Sequence, residues 1–179
     1  MNRSQFFMTG GTALAAATLS NPLMAFNPSA LPSKNPEAKI VGNTEGQVYN
    51  VLGDELQLKL SGKDTGGLFT MYVEEHEPGA GIPLHVHSRE DEVFQILKGK
   101  VEFQVGQDTV VLGPGDIAFG PRGIPHSWKN VGTERARVNL MIYPSGMEDM
   151  FTQLSQLPTG PPDFAKVATI CKGFGIKFL

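Results

Sequence analysis

Two histidines separated by one residue, His85 and His87, are followed by a carboxylate at Glu92, and a third histidine, His126, stands further along the chain. Imidazole nitrogens and a carboxylate oxygen suit a divalent first-row ion such as iron, manganese, nickel, copper or zinc. On a β-strand, residues i and i+2 share a face, so His85 and His87 project together with Val86 on the opposite side. Glu92 opens the next stretch after the polar turn Ser88–Asp91, with Phe94 and Ile96 behind it on its own face. A carboxylate heading an apolar face is costly to bury unless it is paired or bound to a cation. His126 follows a turn rich in Gly and Pro and shares a face with Trp128. Four such ligands leave two positions of an octahedral shell for water, dioxygen or a chelating molecule. Glu90 has the parity of Glu92 and competes with it from within the turn, whereas Asp91 points away.

These residues need short strands to hold them. With Gly 21 and Pro 13 among 179 residues, the composition favours many turns over long helices. Apolar or alternating stretches run Val48–Leu52, Glu55–Leu60, Phe69–Glu75, Leu84–His87, Glu92–Lys98, Val101–Val105, Thr109–Leu112, Ile117–Phe119, His126–Lys129 and Val138–Tyr143. Such spacing predicts an all-β antiparallel sandwich or barrel. Only the tail reads as helical, over Met147–Leu154 and over Asp163–Lys172 with Asp163 as cap and Gly173 just beyond. The chain therefore divides into 1–25, a lead-in over 26–44, a β-body over 45–145 and a helical extension over 146–179 that packs on it.

The formal net charge is −3, with no basic block, which argues against a grip on nucleic acid. The single cysteine, Cys171, excludes an internal disulfide and a cysteine-built metal site; it reads as a small buried apolar residue. Residues 1–25 read as an export signal: Arg3, an apolar stretch through Leu19, a break at Pro22 and a small residue at Ala25. The start Asn2-Arg3-Ser4-Gln5-Phe6-Phe7 resembles a twin-arginine signal with Ser4 in place of the second arginine. The stretch is too short and too interrupted to remain as an anchor, so a periplasmic or secreted protein is expected.

The run Gly79-x5-His85-x-His87-x4-Glu92-x6-Gly99 resembles the first cupin motif at every fixed position, and Gly115-x5-Pro121-x-Gly123-x2-His126-x3-Asn130 resembles the second. The resemblance implies a small jelly-roll-like β-barrel holding one metal through His85, His87, Glu92 and His126, and its spacing selects Glu92 over Glu90. The stretch His85–Phe94 and the end Phe174–Phe178 are similar to the small quercetin-dioxygenase-like group. That likeness implies a dioxygenase acting on a chelating enol or phenol, flavonol-like, with Glu92 accepting the substrate's proton. Phe94, Phe103 and Trp128 are candidate substrate walls as well as core residues. Two other classes stay open: a module that binds a metal or small ligand without catalysis, and a non-oxidative isomerase or hydrolase. His76 reads as a polar surface histidine and Asn130 as a turn stabiliser. Val93, Gln95 and Leu97 make an outward face more apolar than a wet surface needs, which suggests cover by a strand layer or by a second subunit in a homodimer.

Overall fold

Residues 36–158 and 160–179 are described by a computed structural model; the export-signal reading of 1–25 and the lead-in as far as 35 lie outside the described residues. Alternation of apolar and polar side chains builds ten consecutive strands: β1 (Gln47–Val51), β2 (Asp54–Leu60), β3 (Thr70–His76), β4 (Gly81–His87), β5 (Asp91–Lys98), β6 (Val101–Val105), β7 (Asp108–Leu112), β8 (Ile117–Gly120), β9 (His126–Asn130) and β10 (Ala136–Tyr143). Two helices follow, α1 (Glu148–Ser155) and α2 (Phe164–Gly173), and then a last strand, β11 (Ile176–Phe178).

The strands form two antiparallel sheets, ordered β1-β2-β3-β10-β5-β8 and β11-β4-β9-β6-β7. This is the jelly-roll arrangement, a sandwich whose two sheets keep their own edges rather than one ladder closed on itself. Every second residue of β5 (Glu92, Phe94, Ile96) and of β10 (Val138, Leu140, Ile142) is buried in the space between the sheets. From the second sheet, Val101, Phe103 and Trp128 enter the same core. The β5–β6 reversal depends on Gly99, whose φ is +91° and where an added Cβ would stand 2.8 Å from the Ala136 Cα. Only glycine tolerates both.

Helix α1 turns Met150, Phe151 and Leu154 inward, and the Phe151 ring meets Tyr72 edge-on at 5.0 Å. Burying each such side chain is worth about 1.5–3 kcal/mol, which fixes a helix too short to be stable alone. Helix α2 starts where the cap predicts: the Asp163 carboxylate accepts hydrogen bonds from the backbone N–H groups of Ala165 and Lys166. Gly173 is the last helical residue instead of lying past the end. Among the described residues no helix is long and apolar enough to cross a membrane.

Strand β11 is absent from the sequence reading. It pairs with β4, placing Ile176 opposite His87 and Phe178 opposite His85. Three residues between turns carry too little periodicity to reveal a strand; β11 exists because β4 offers it a free edge.

Candidate metal centre

Three of the four predicted ligands come from one sheet and the fourth from the other. His85 and His87 lie on β4, and His126 begins β9 directly opposite His85 in the ladder. Glu92 reaches in from β5, where it pairs across to Ile142 and Gly120. Gly120 matters for its lack of a side chain, since a Cβ there would stand 3.1 Å from the His126 ring. One potential ligand atom from each of His85, His87, Glu92 and His126 lies within 4.8 Å of the others, and all four residues are buried.

The backbone decides which imidazole nitrogen faces inward. His85 Nδ1 lies 2.9 Å from the Pro83 carbonyl and His126 Nδ1 3.1 Å from the Ile124 carbonyl. A carbonyl only accepts, so Nδ1 carries a proton in both rings and Nε2 is the nitrogen turned toward the cluster. His126 Nε2 is 2.9 Å and His87 Nε2 3.5 Å from Glu92 Oε2. Burial alone would push the Glu92 carboxyl up, but the charges of His87 and His126 outweigh it and hold it below its ordinary value. Burial pulls His85 down to about 4, so its ring is neutral and its lone pair available at neutral pH. For His126 burial works the same way, but the Glu92 contact prevails and raises it.

These residues fit a divalent cation. Three inward nitrogens and a buried ionised oxygen form an N₃O donor set matched to first-row transition metals, and a carboxylate this buried is stable only against positive charge. Behind the cluster, Glu90 is buried too, with Oε2 3.7 Å from His87 Nδ1, a separation too long for a hydrogen bond. Glu90 therefore backs the cluster, while Glu92 faces it.

The cluster opens on an internal cavity of about 100 Å³. Phe94 and Trp128, two of the candidate wall residues, line it. Phe103 does not: its ring sits behind Phe94, centroids 5.1 Å apart, and supports the wall without forming it. The strands add Val51, Leu56, Ile82 and Leu140, and the C-terminal segment adds Met147, Phe151, Val167, Cys171, Ile176 and Phe178. Cys171 is buried, which pushes its thiol up to about 11. A cavity of about 150 Å³ accommodates benzene, so this one takes a small occupant unless the helices shift.

His76 overturns its reading as a surface residue. It is 2% exposed, with Nε2 3.1 Å from Glu74 Oε2 and Nδ1 3.1 Å from Asp54 Oδ2, and its ring lies 4.1 Å from Trp128. Burial lowers its pKa, but the two carboxylates win and raise it to about 9. Glu74, His76 and Asp54 all line the cavity. The available signal was parity: Tyr72, Glu74 and His76 alternate along β3, so the face that buries Tyr72 buries the other two. Asn130 does stabilise a turn, its Nδ2 donating to the His76 and Glu134 carbonyls and its Oδ1 accepting from Gly132 N–H.

Residues 72–143 match the cupin domain family model. The chain is 33% identical over 85 residues to quercetin 2,3-dioxygenase of Bacillus subtilis, covering 48% of this chain and 25% of that protein. It thus spans about a quarter of that relative's length. Among solved structures, KdgF from Halomonas sp. superposes with a TM-score of 0.57 at 19% identity, covering 64% of this chain and 99% of that one. An RmlC-like cupin from Shewanella frigidimarina gives 0.53 at 17% identity, covering 65% and 98%. At those identities the structures speak to the fold alone, which is the sandwich described above. With both motifs placed on the strands that bring their histidines and glutamate together, residues 72–143 form a cupin domain.

Proposed function

We propose that the protein is a metal-dependent dioxygenase that binds one divalent ion through His85, His87, Glu92 and His126 and acts on a small chelating enol or phenol. The observation that carries this reading is the buried N₃O cluster opening on a mostly apolar cavity. The ion, when bound, supplies Lewis acidity and a template for chelating oxygens. The chain does the remainder. The Pro83 and Ile124 carbonyls aim two imidazoles, and Glu92, held ionised by the histidines, accepts the proton lost by the enol. Phe94 and Trp128 bound the organic part, while α1, α2 and β11 exclude water. Similarity to the Bacillus quercetin 2,3-dioxygenase supports the oxidative chemistry. The test is oxygen uptake by protein reconstituted with each candidate metal, against a panel of catechols and flavonols. Metal-dependent uptake with a panel member supports the reading, and none with any member overturns it.

The size of the cavity favours a second reading, a cupin that binds a small ligand or transforms it without oxygen, as an isomerase or hydrolase. Metal-dependent turnover with no oxygen consumed selects it. The reading includes export of the mature chain to the periplasm or beyond, supported by the pattern of residues 1–25. It also includes a homodimer, supported by the edge strand β8, where Ile117 and Phe119 are 59% and 53% exposed.

A further inference from the structure

The cavity has polar groups at two separate places. One is formed by His85, His87 and Glu92 of the N₃O cluster; the other is Glu74, His76 and Asp54, and apart from Trp128 and Cys171 the rest of the wall is apolar. Their separation follows from the ladder. Along β10, Glu74 pairs opposite Val138 and Glu92 opposite Ile142, with Leu140 and Phe94 in the row between. Four residues of strand span about 13 Å, so the two carboxyl groups reach into the cavity from opposite ends of one inward sheet face.

The second group is not another metal site. Glu74 and Asp54 engage opposite nitrogens of the His76 ring, which keeps their oxygens apart. Nor is the Glu74 carboxyl spent on this pairing. It is 4% exposed, Oε2 faces His76 Nε2, and no hydrogen bond among the described residues reaches Oε1. An unpaired carboxylate oxygen beside open space has room for a further partner, and the open space that Glu74 lines is the cavity.

We propose that Glu74, oriented by the His76–Asp54 pair, is the far anchor for the small molecule in the cavity, hydrogen-bonding a hydroxyl at the end opposite its chelating oxygens. The inference rests on chelation at the N₃O cluster as proposed above. It names the ligand class: a compact molecule of one ring, with a chelating enol or phenol at one end and a hydroxyl at the other, which the cavity of about 100 Å³ admits only as the covering helices shift outward. Leu140 and Phe94 pack against its apolar middle. His76 and Asp54 are positioning residues, acting on the ligand only through Glu74.

The full chain loaded with zinc, a redox-inert ion, is titrated calorimetrically with allomaltol and with kojic acid. Both are 5-hydroxy-4-pyranone chelators, and they differ by a single distal hydroxyl. Kojic acid is expected to bind about tenfold more tightly, the effect of one buried hydrogen bond, and Glu74→Met is expected to erase the difference while holding allomaltol affinity within about threefold. Equal affinities in the wild-type protein overturn the proposal, as does a tenfold preference that survives in folded Glu74→Met. If that variant does not fold, the wild-type ratio decides. A purely structural role for Glu74 would lower stability without changing the ratio. Allomaltol binding that is indifferent to zinc overturns the chelation reading and this one together, whereas zinc-dependent binding without hydroxyl preference overturns this one alone.

Discussion

The contact between His126 and Glu92 shows why a single side chain is decisive in this molecule. At 2.9 Å a buried imidazole nitrogen and a carboxylate oxygen need positive charge between or upon them, and a divalent ion meets that need for all four residues at once. His87→Ala removes one of three nitrogens and leaves Glu92 less compensated. Elemental analysis after dialysis is expected to show metal affinity at least about tenfold below wild type, and an unchanged metal content would sink the ligand assignment. His76 makes a separate prediction about pH. Its folded-state pKa, about 9, lies above its ordinary 6.5, so the stability it contributes is fully present below pH 6.5 and is lost as pH rises through 9. Linkage puts this on the order of 3 kcal/mol. Unfolding by urea should therefore show wild-type stability declining between pH 6.5 and 9.5, and His76→Gln, already weaker at pH 6.5, should lack that decline.

Elements rather than residues determine how much room the site has. Strand β4 is held between β9 and β11, so the two adjacent histidines cannot move independently of the C-terminal strand. Helix α1 is pinned by Phe151 and Leu154, which are core residues and cavity wall together. Phe151→Ala is expected to destabilise by about 3–5 kcal/mol, read as a lower urea midpoint. The same change enlarges the cavity, so the variant should bind a flavonol more tightly than wild type, relative to allomaltol. Equal relative affinities would mean that the aromatic ring does not limit ligand size. Parity made the cavity's second polar group legible, had β3 been carried one residue further than Glu75. The strand extends to His76 because β10 pairs along its whole length, from Thr70 opposite Ile142 to His76 opposite Ala136.

On the scale of the whole molecule, two open-edged sheets enclose a site that belongs to neither alone, three ligands coming from one and the fourth from the other. The arrangement leaves β8 and β7 as outer strands with exposed apolar residues, Ile117 and Phe119 on one and Val110 and Val111 on the other. Exposed edges of this sort favour association. Light scattering after size-exclusion chromatography is expected to give twice the chain mass, and a monomer mass would remove the dimer from the reading. Export is checked by sequencing the N-terminus of protein recovered from the periplasm, where a start after Ala25 is expected.

The sequence by itself determined a body of short antiparallel strands, left open between sandwich and closed barrel, the Asp163 cap, the tight reversal at Gly99 and the identity of the four converging side chains. Each of these follows from local rules: alternation along a strand, turn chemistry, and a fixed spacing of ligand types. Only the tertiary structure decided that His76 is buried between two carboxylates, that Phe103 stands behind Phe94, that β11 completes the sheet beside β4, and that the helices reduce the cavity to about 100 Å³. Those outcomes depend on which strand lies beside which and on what covers the end of the sandwich. Side chains far apart in the chain acquire such neighbours only when the two sheets come together.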